Sequence, residues 1–190
     1  MAVKSVLRMG DPHLQCPCVE VTDFGDPALA GLIVDMFDTM CAEEGAGLAA
    51  NQIGSGLRVV IFGFKHTPRY PDCPPIPETV LINPVISALD QEQGLAWEGC
   101  LSIPGMRGLV PRYKHIRYQG YDAQGNVMDV EATDFHARVV QHECDHLDGI
   151  LYPYRINDMS QFGFIEELEK ADAMAQAGLP CDDVGKDLTE

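Results

Sequence analysis

Residues 58–64, 80–86, 95–103, 116–121 and 127–132 are apolar runs rich in β-branched and aromatic side chains, and no helical pattern separates one from the next. The last two are joined as a hairpin across residues 122–126. Parallel strands need long crossover connections, usually helical, so this block excludes alternating β-α-β winding. Helical periodicity lies on either side of it. Asp26 can cap a helix with Pro27 in its first turn, and Leu29, Leu32, Ile33, Met36, Phe37 and Met40 form an apolar stripe ending near Gly45. Beyond the block, Thr133 or Asp134 can cap a helix that runs through Phe135, Val139, Val140 and His142 to Leu147 and stops at Gly149. A last helix is expected over residues 160–176, with Phe162, Ile165, Leu168 and Ala171 on one side. The layout is α+β, with antiparallel or mixed sheets packed around the helix that carries His142, an N-terminal helix and a C-terminal helix.

At 190 residues the chain is expected to form one domain, 1–190, with its own core and an acidic C-terminal helix and tail from about residue 158. Prolines crowd residues 68–77, which reads as an extended exposed loop inserted in that domain. A net charge of −16 repels phosphate backbones, so a nucleic-acid partner is not expected. The amino terminus lacks a signal-peptide core and no stretch approaches a membrane span, which points to the cytosol. Seven cysteines without regular spacing suit free thiols or metal ligands better than a disulfide framework.

Within the later helix stands His142-Glu143-Cys144-Asp145-His146. Residues four apart share a helical face, so both imidazoles can reach one metal ion while Glu143, one residue round, approaches a water bound there. The plain alternative is a chance pair on a wet helix face. A catalytic site of this kind carries three protein ligands and one open position. A third histidine six residues after His146 would complete one known pattern, but that position is Tyr152. Glu166, Glu167 or Glu169 on the last helix could serve. So could Cys100 in Trp97-Glu98-Gly99-Cys100-Leu101-Ser102, since a thiolate suits zinc or ferrous iron and Gly99 permits close backbone approach. Burial as a small hydrophobe is the other common fate of such a cysteine. Cys16, Cys18, Cys41, Cys73, Cys144 and Cys181 are read that way, with Cys144 pointing away from the histidine pair.

A third segment is Gly45-Ala46-Gly47-Leu48-Ala49-Ala50-Asn51-Gln52. It loosely matches a dinucleotide loop, but it follows a helix rather than a strand, and no acidic residue closes a second strand about 20 residues later. It reads better as a backbone edge kept bare by small residues, followed by an amide that can donate to a developing oxyanion.

In order, spacing and form, residues 45–52, 98–102 and 141–146 resemble the three signature motifs of the peptide deformylase family, and the resemblance extends over about residues 9–158. It implies removal of the formyl group from the N-terminal formylmethionine of newly made proteins, with release of formate. It implies that Cys100, His142 and His146 hold one divalent metal ion, ferrous iron (Fe2+) in the cell, for which zinc, nickel or cobalt can substitute. Metal-held water would attack the formyl carbon, with Glu143 first as general base and then as general acid to the leaving amine. The Gln52 side chain and the Leu101 backbone N–H would donate to the oxyanion. Ala46, Gly47 and Gly99 would hold the peptide in extended form like an added strand, and a side chain on Gly47 should obstruct that approach. Arg107 would stand near the pocket rim, and Phe135, Val139 and His142 would face the methionine pocket.

Arg138 stands where some members of the family carry an apolar residue, and its charged end is expected to snorkel to the pocket rim. Residues 138–149 look closer to the mitochondrial and organellar branch, but without a transit-like amino terminus a bacterial cytosol is expected. The expected partners are formylmethionyl N termini of nascent peptides, with no stable nucleic acid and no membrane, and the chain is expected as a monomer or weak dimer. Some bacterial members dock on the ribosome through a basic C-terminal helix, whereas residues 158–190 here carry nine acidic residues and two lysines. No stable ribosomal RNA contact is expected through such a tail. A zinc peptidase using Glu166 or a neighbour as third ligand and a non-catalytic binder of formylated or acylated N termini are the rival readings. Retention of Glu143 and Gln52 argues against the binder, which has no use for a general base.

Overall fold

The computed structural model describes residues 2–65 and 73–176. Asp26 accepts a 2.8 Å hydrogen bond from the Ala28 N–H and so opens α1, Pro27–Ala42, as the cap and proline lead one to expect. Leu29, Ile33, Met36 and Met40 form its buried stripe. The short strand β1, Gly47–Ala49, and a 3-10 turn over Ala50–Ile53 carry the chain into β2, Val59–Phe64. Then come β3, Ile76–Ala88; β4, Gln93–Cys100; β5, Ile103–Tyr113; β6, His115–Tyr121; and β7, Val127–Thr133. The long helix α2, Asp134–Leu147, precedes a last strand β8, Phe162–Phe164, and α3, Ile165–Gln176. All strand pairs are antiparallel, in one sheet of order β1-β2-β3-β6-β7 and a second of order β4-β5-β8, which is an α+β architecture.

Every residue of β2 is buried because both of its faces are covered. Val59 and Ile61 pack with Leu29, Ile33 and Met36 of α1, whereas Val60 and Phe62 pack with Val140, Cys144 and Leu147 of α2. On its far side α2 meets β5, so the helix contacts strands of both sheets. At Gly63 the β2–β3 register shifts, and a β-carbon there would lie 2.5 Å from the Pro77 carbonyl oxygen. With φ of +128°, only glycine forms this bulge. Its N–H donates to Ala46 O at 3.0 Å and ties the start of β1 to the sheet.

Several expectations are corrected. The run 95–103 is two strands, because the chain reverses after Cys100 and Ile103 pairs back with it. The whole of β5 was unexpected, since Pro104, Gly105, Gly108 and Pro111 look like strand breakers. Its outer neighbour β8 covers only Met106–Gly108, so both prolines lie where no second ladder needs their missing N–H. The last helix starts at Ile165 rather than 160. Phe162-Gly163-Phe164 instead pairs with β5, and the Phe162 ring packs edge-on against Tyr152. Thr133 takes the N-cap position of α2 without a side-chain bond, and Asp134 is its first residue. Of the proline-dense loop, residues 66–72 lie outside the described residues, while Ile76 and Pro77 belong to β3. Among the described residues no helix is long and apolar enough to cross a membrane.

Candidate active site

His142 and His146 sit one turn apart on α2, with ring centroids 5.2 Å apart. Cys100, the last residue of β4, faces them, and its Sγ lies 3.3 Å from His146 Nε2. One ligand atom from each of the three lies within 4.8 Å of the others, and all three residues are buried. Among the described residues this is the one cluster of three such side chains. Glu166, Glu167 and Glu169 are exposed on α3 and take no part in it. The Tyr152 ring stacks on His142 at 6.0 Å between centroids, where a third histidine would stand in the alternative pattern.

The donor set fits a divalent transition metal, since one soft sulfur joined to imidazole nitrogens suits iron, zinc, nickel or cobalt. His142 Nδ1 donates to Glu98 Oε2 at 2.8 Å, which leaves its Nε2 lone pair for the cluster. Burial pushes His146 well below the ordinary histidine value and keeps that ring neutral, as a metal ligand must be.

Glu143 follows His142 on the helix, 6% exposed, and its Oε2 has no hydrogen-bond partner among the described residues. Burial pushes its carboxyl up to about 7. A buried carboxylate left one bond short and poised near neutrality suits a group that takes and returns a proton. Opposite it runs β1. A β-carbon on Gly47 would fall 2.6 Å from Glu143 Cγ and Oε1, so the bare backbone here makes room for the carboxylate. Because β1 pairs only with β2, its other edge has no neighbouring strand among the described residues.

Gln52 stands in the turn after β1. Its Oε1 accepts from the Ala49 N–H at 2.8 Å, which turns the amide nitrogen toward Ser102 Oγ at 3.1 Å and Cys100 Sγ at 3.5 Å. The donor end of the amide therefore faces the cluster. Ala46, Gly47, Gln52, Gly99, Leu101, Phe135, Val139 and Glu143 line a single pocket with Cys100 and His142. Arg107 is not among the lining residues; its side chain passes 3.7 Å from the β-carbon position of Gly99.

Arg138 does not snorkel to the rim. It is 9% exposed, and its guanidinium turns inward to Glu98 Oε1 at 2.7 Å, Val110 O at 2.8 Å and Gly94 O at 2.6 Å. Arg112 also grips Glu98, with Nε and Nη2 at 2.9 and 3.0 Å, and reaches Asp145 through Nη1. Burial opposes the charge on Glu98, yet the His142 hydrogen bond and the Arg112 charge outweigh it and hold the carboxyl far below the usual range. This ionic support was missed by sequence reasoning. Glu98 had a weak signal, two residues before Cys100, but Arg112 meets its partners across 14 and 33 residues. Trp97, which also lines the pocket, was missed as well. Cys144 faces the core with Val140 and Leu147, and burial raises its thiol well above the ordinary range, so it stays protonated. Cys181 lies outside the described residues.

A family model described as polypeptide deformylase matches residues 3–162. The chain is 61% identical over 166 residues to peptide deformylase 1 of Nitrosomonas europaea, a match covering 87% of this chain and 94% of that relative. Identity to peptide deformylase 1 of Bordetella pertussis is 56% over 166 residues, again 87% of this chain and 94% of that one. Among solved structures, it is similar to the Met-Ala-Ser-bound class I type b peptide deformylase from Acinetobacter baumannii, with a TM-score of 0.78, 36% identity, and coverage of 82% of this chain and 99% of that chain. The peptide deformylase from Thermotoga maritima matches with a TM-score of 0.73 and 34% identity over 83% of this chain and all of that chain. With a donor cluster fit for a metal, a buried carboxylate beside it and relatives of this identity over most of its length, the chain belongs to the polypeptide deformylase family, a family of metal-dependent hydrolases.

Proposed function

We propose that this enzyme, which removes the formyl group from the N termini of nascent proteins, does so with Cys100, His142 and His146 as metal ligands and Glu143 as proton carrier. The observation that carries the reading is that two members of the donor cluster, Cys100 and His142, line one pocket with Glu143 and Gln52, while His146 completes the cluster behind them. The metal, when bound, supplies a Lewis acid that polarises the formyl oxygen and lowers the pKa of water toward about 7. Water adds to the formyl carbon, Glu143 accepts its proton, and the same carboxyl returns it to the leaving amide nitrogen. Formate and a free N-terminal amine result. The Gln52 amide and the Leu101 backbone N–H donate to the oxyanion, each worth about 3 kcal/mol in such sites. The substrate lies extended along the open edge of β1, held by Ala46, Gly47 and Gly99, with its methionine side chain against Phe135 and Val139 and Arg107 at the rim. The Met-Ala-Ser peptide named with the Acinetobacter structure supports a substrate of this kind.

The finer reading is ferrous iron as the ion in the cell, with zinc, nickel or cobalt able to replace it, on a central helix that carries both histidines. We place the enzyme in a bacterial cytosol, in keeping with its bacterial relatives, as a monomer or weak dimer without stable nucleic-acid binding. The whole chain, 1–190, acts as one catalytic domain, with its acidic portion from about residue 158.

The deciding experiment is formate release from formyl-Met-Ala-Ser by nickel-loaded protein, beside Glu143→Ala with metal content measured in both. Release by the wild type and its loss in a variant that still holds nickel is the expected result. No release from a folded, metal-loaded wild type refutes the reading.

A further inference from the structure

Arg138 stands one helical turn before His142, and its guanidinium donates at once to the Glu98 carboxylate and to the carbonyls of Gly94 and Val110. Those groups lie on β4 and β5, so one side chain pins α2 to the strand that ends at Cys100 and to that strand's partner. Glu98 in turn accepts four hydrogen bonds. Oε1 receives Arg112 Nε and Arg138 Nη1, while Oε2 receives Arg112 Nη2 and His142 Nδ1.

The arginines are not redundant. Arg112 divides its charge between Glu98 and Asp145, and Asp145 is shared further with Arg155, which is 45% exposed. The buried members Arg138, Glu98, Arg112 and Asp145 are two cations and two anions, and without Arg138 the only cation left on Glu98 is Arg112, which it shares with Asp145. The geometry runs the same way. The Arg112 fork holds the carboxylate by one donor on each oxygen, on one side only. Arg138 adds a second donor on Oε1 from another direction, itself fixed by two carbonyls, and so braces the carboxylate against swinging about the fork and away from the imidazole on Oε2.

We propose that Arg138 is a positioning residue for the metal centre, acting through Glu98 to hold the His142 ring in the orientation and tautomer that present Nε2 to the metal. The inference rests on the ligand assignment above. It also gives the buried charge of this chain a task in the reaction, since the same side chain lines the substrate pocket beside Val139.

The full-length wild type, Arg138→Met and Arg138→Lys are loaded with nickel. Nickel loss to excess EDTA is then timed, and kcat and KM are measured on formyl-Met-Ala-Ser. Met keeps a stem of similar length against the pocket. Lys keeps the buried charge as well and guards against a variant that does not fold, but it cannot make the three donations in one plane. Nickel loss is expected to quicken roughly 10- to 100-fold in Arg138→Met and at least about threefold in Arg138→Lys, with kcat falling and KM within about threefold. In a Glu98→Gln background Arg138→Met should add less than about threefold, because its route is already cut. Unchanged nickel loss in either folded variant, a change in KM alone, or full additivity with Glu98→Gln overturns the proposal. Nickel loss is read without turnover. A wild type that holds nickel and releases no formate therefore refutes the deformylase reading separately from this one.

Discussion

Gly47→Ala tests the closest contact in the site. The new methyl carbon would start 2.6 Å from Glu143 Cγ and Oε1 and 2.7 Å from Cδ, whereas ordinary contact begins at 3.4 Å, so about 0.8 Å must be found. Glu143 is enclosed and cannot swing into solvent. Gly47 is paired to Phe62 in a sheet whose next strand is buried throughout, so β1 cannot retreat freely either. Either way the carboxylate and the peptide edge are forced apart. A misplacement near 1 Å can cost about 100-fold in rate, so a fall in kcat of roughly 30- to 100-fold is expected, or about 2 to 3 kcal/mol of barrier. Overpacking should also lower stability by about 1–3 kcal/mol. Formate release is measured across peptide concentrations on metal-loaded protein, with thermal unfolding as the control. If the methyl acted only by obstructing the peptide, KM would rise while kcat held. In a Glu143→Ala background the substitution should have little further effect on kcat, since the carboxylate it displaces is gone. A folded, fully metallated Gly47→Ala with kcat within about threefold of wild type would show the reasoning to be wrong.

Two further outcomes follow from the same geometry. Cys100→Ala should fail to retain metal after gel filtration while Glu166→Ala retains it and turns over as wild type; the opposite pattern would move the third ligand to α3. The Tyr118 phenol, buried between Phe62 and His136, has its pKa pushed up by burial to about 12 from 10.0. A group raised on folding stabilises fully below its unfolded value and loses that contribution as pH climbs, here between about 10 and 12, a change of order 2 kcal/mol. Urea denaturation of Tyr118→Phe across that range should show a flatter decline than the wild type, and equal slopes would count against a buried, protonated phenol.

Much of this molecule is written in local pattern, and where the pattern fails the cause is physical. Asp26 and Pro27 specify α1 through a cap and a fixed φ, both properties of neighbouring residues. The β6–β7 hairpin is equally local, since the Asp122 side chain folds the turn by accepting from the Gln124 and Asn126 N–H groups. By contrast, β5 keeps two prolines because of what does not pair with it, and Phe162 leaves the helix because a distant strand edge accepts it. The same division runs through the site. Spacing on one helix displays His142, Glu143 and His146, and a short motif displays Cys100. The Arg138–Glu98–Arg112–Asp145 set draws on two strands and a helix, and its members become partners only after the chain has closed. Arg138 shows this best, because an arginine on a helix beside a pocket looks like a surface residue until its three acceptors are known.

The brevity of β1 has a consequence for what such an enzyme can process. Three residues of strand offer roughly 10 Å of main-chain edge. A protein laid against it is gripped over its first few residues, and everything farther along hangs free of the ladder. In the proposed binding mode, main-chain contacts over so short a stretch would read little beyond the leading side chain and would let one catalyst serve chains that share only their beginnings. The same shortness gives another folded protein too little edge to add a strand of its own, so the site can stay open to unfolded N termini without inviting aggregation.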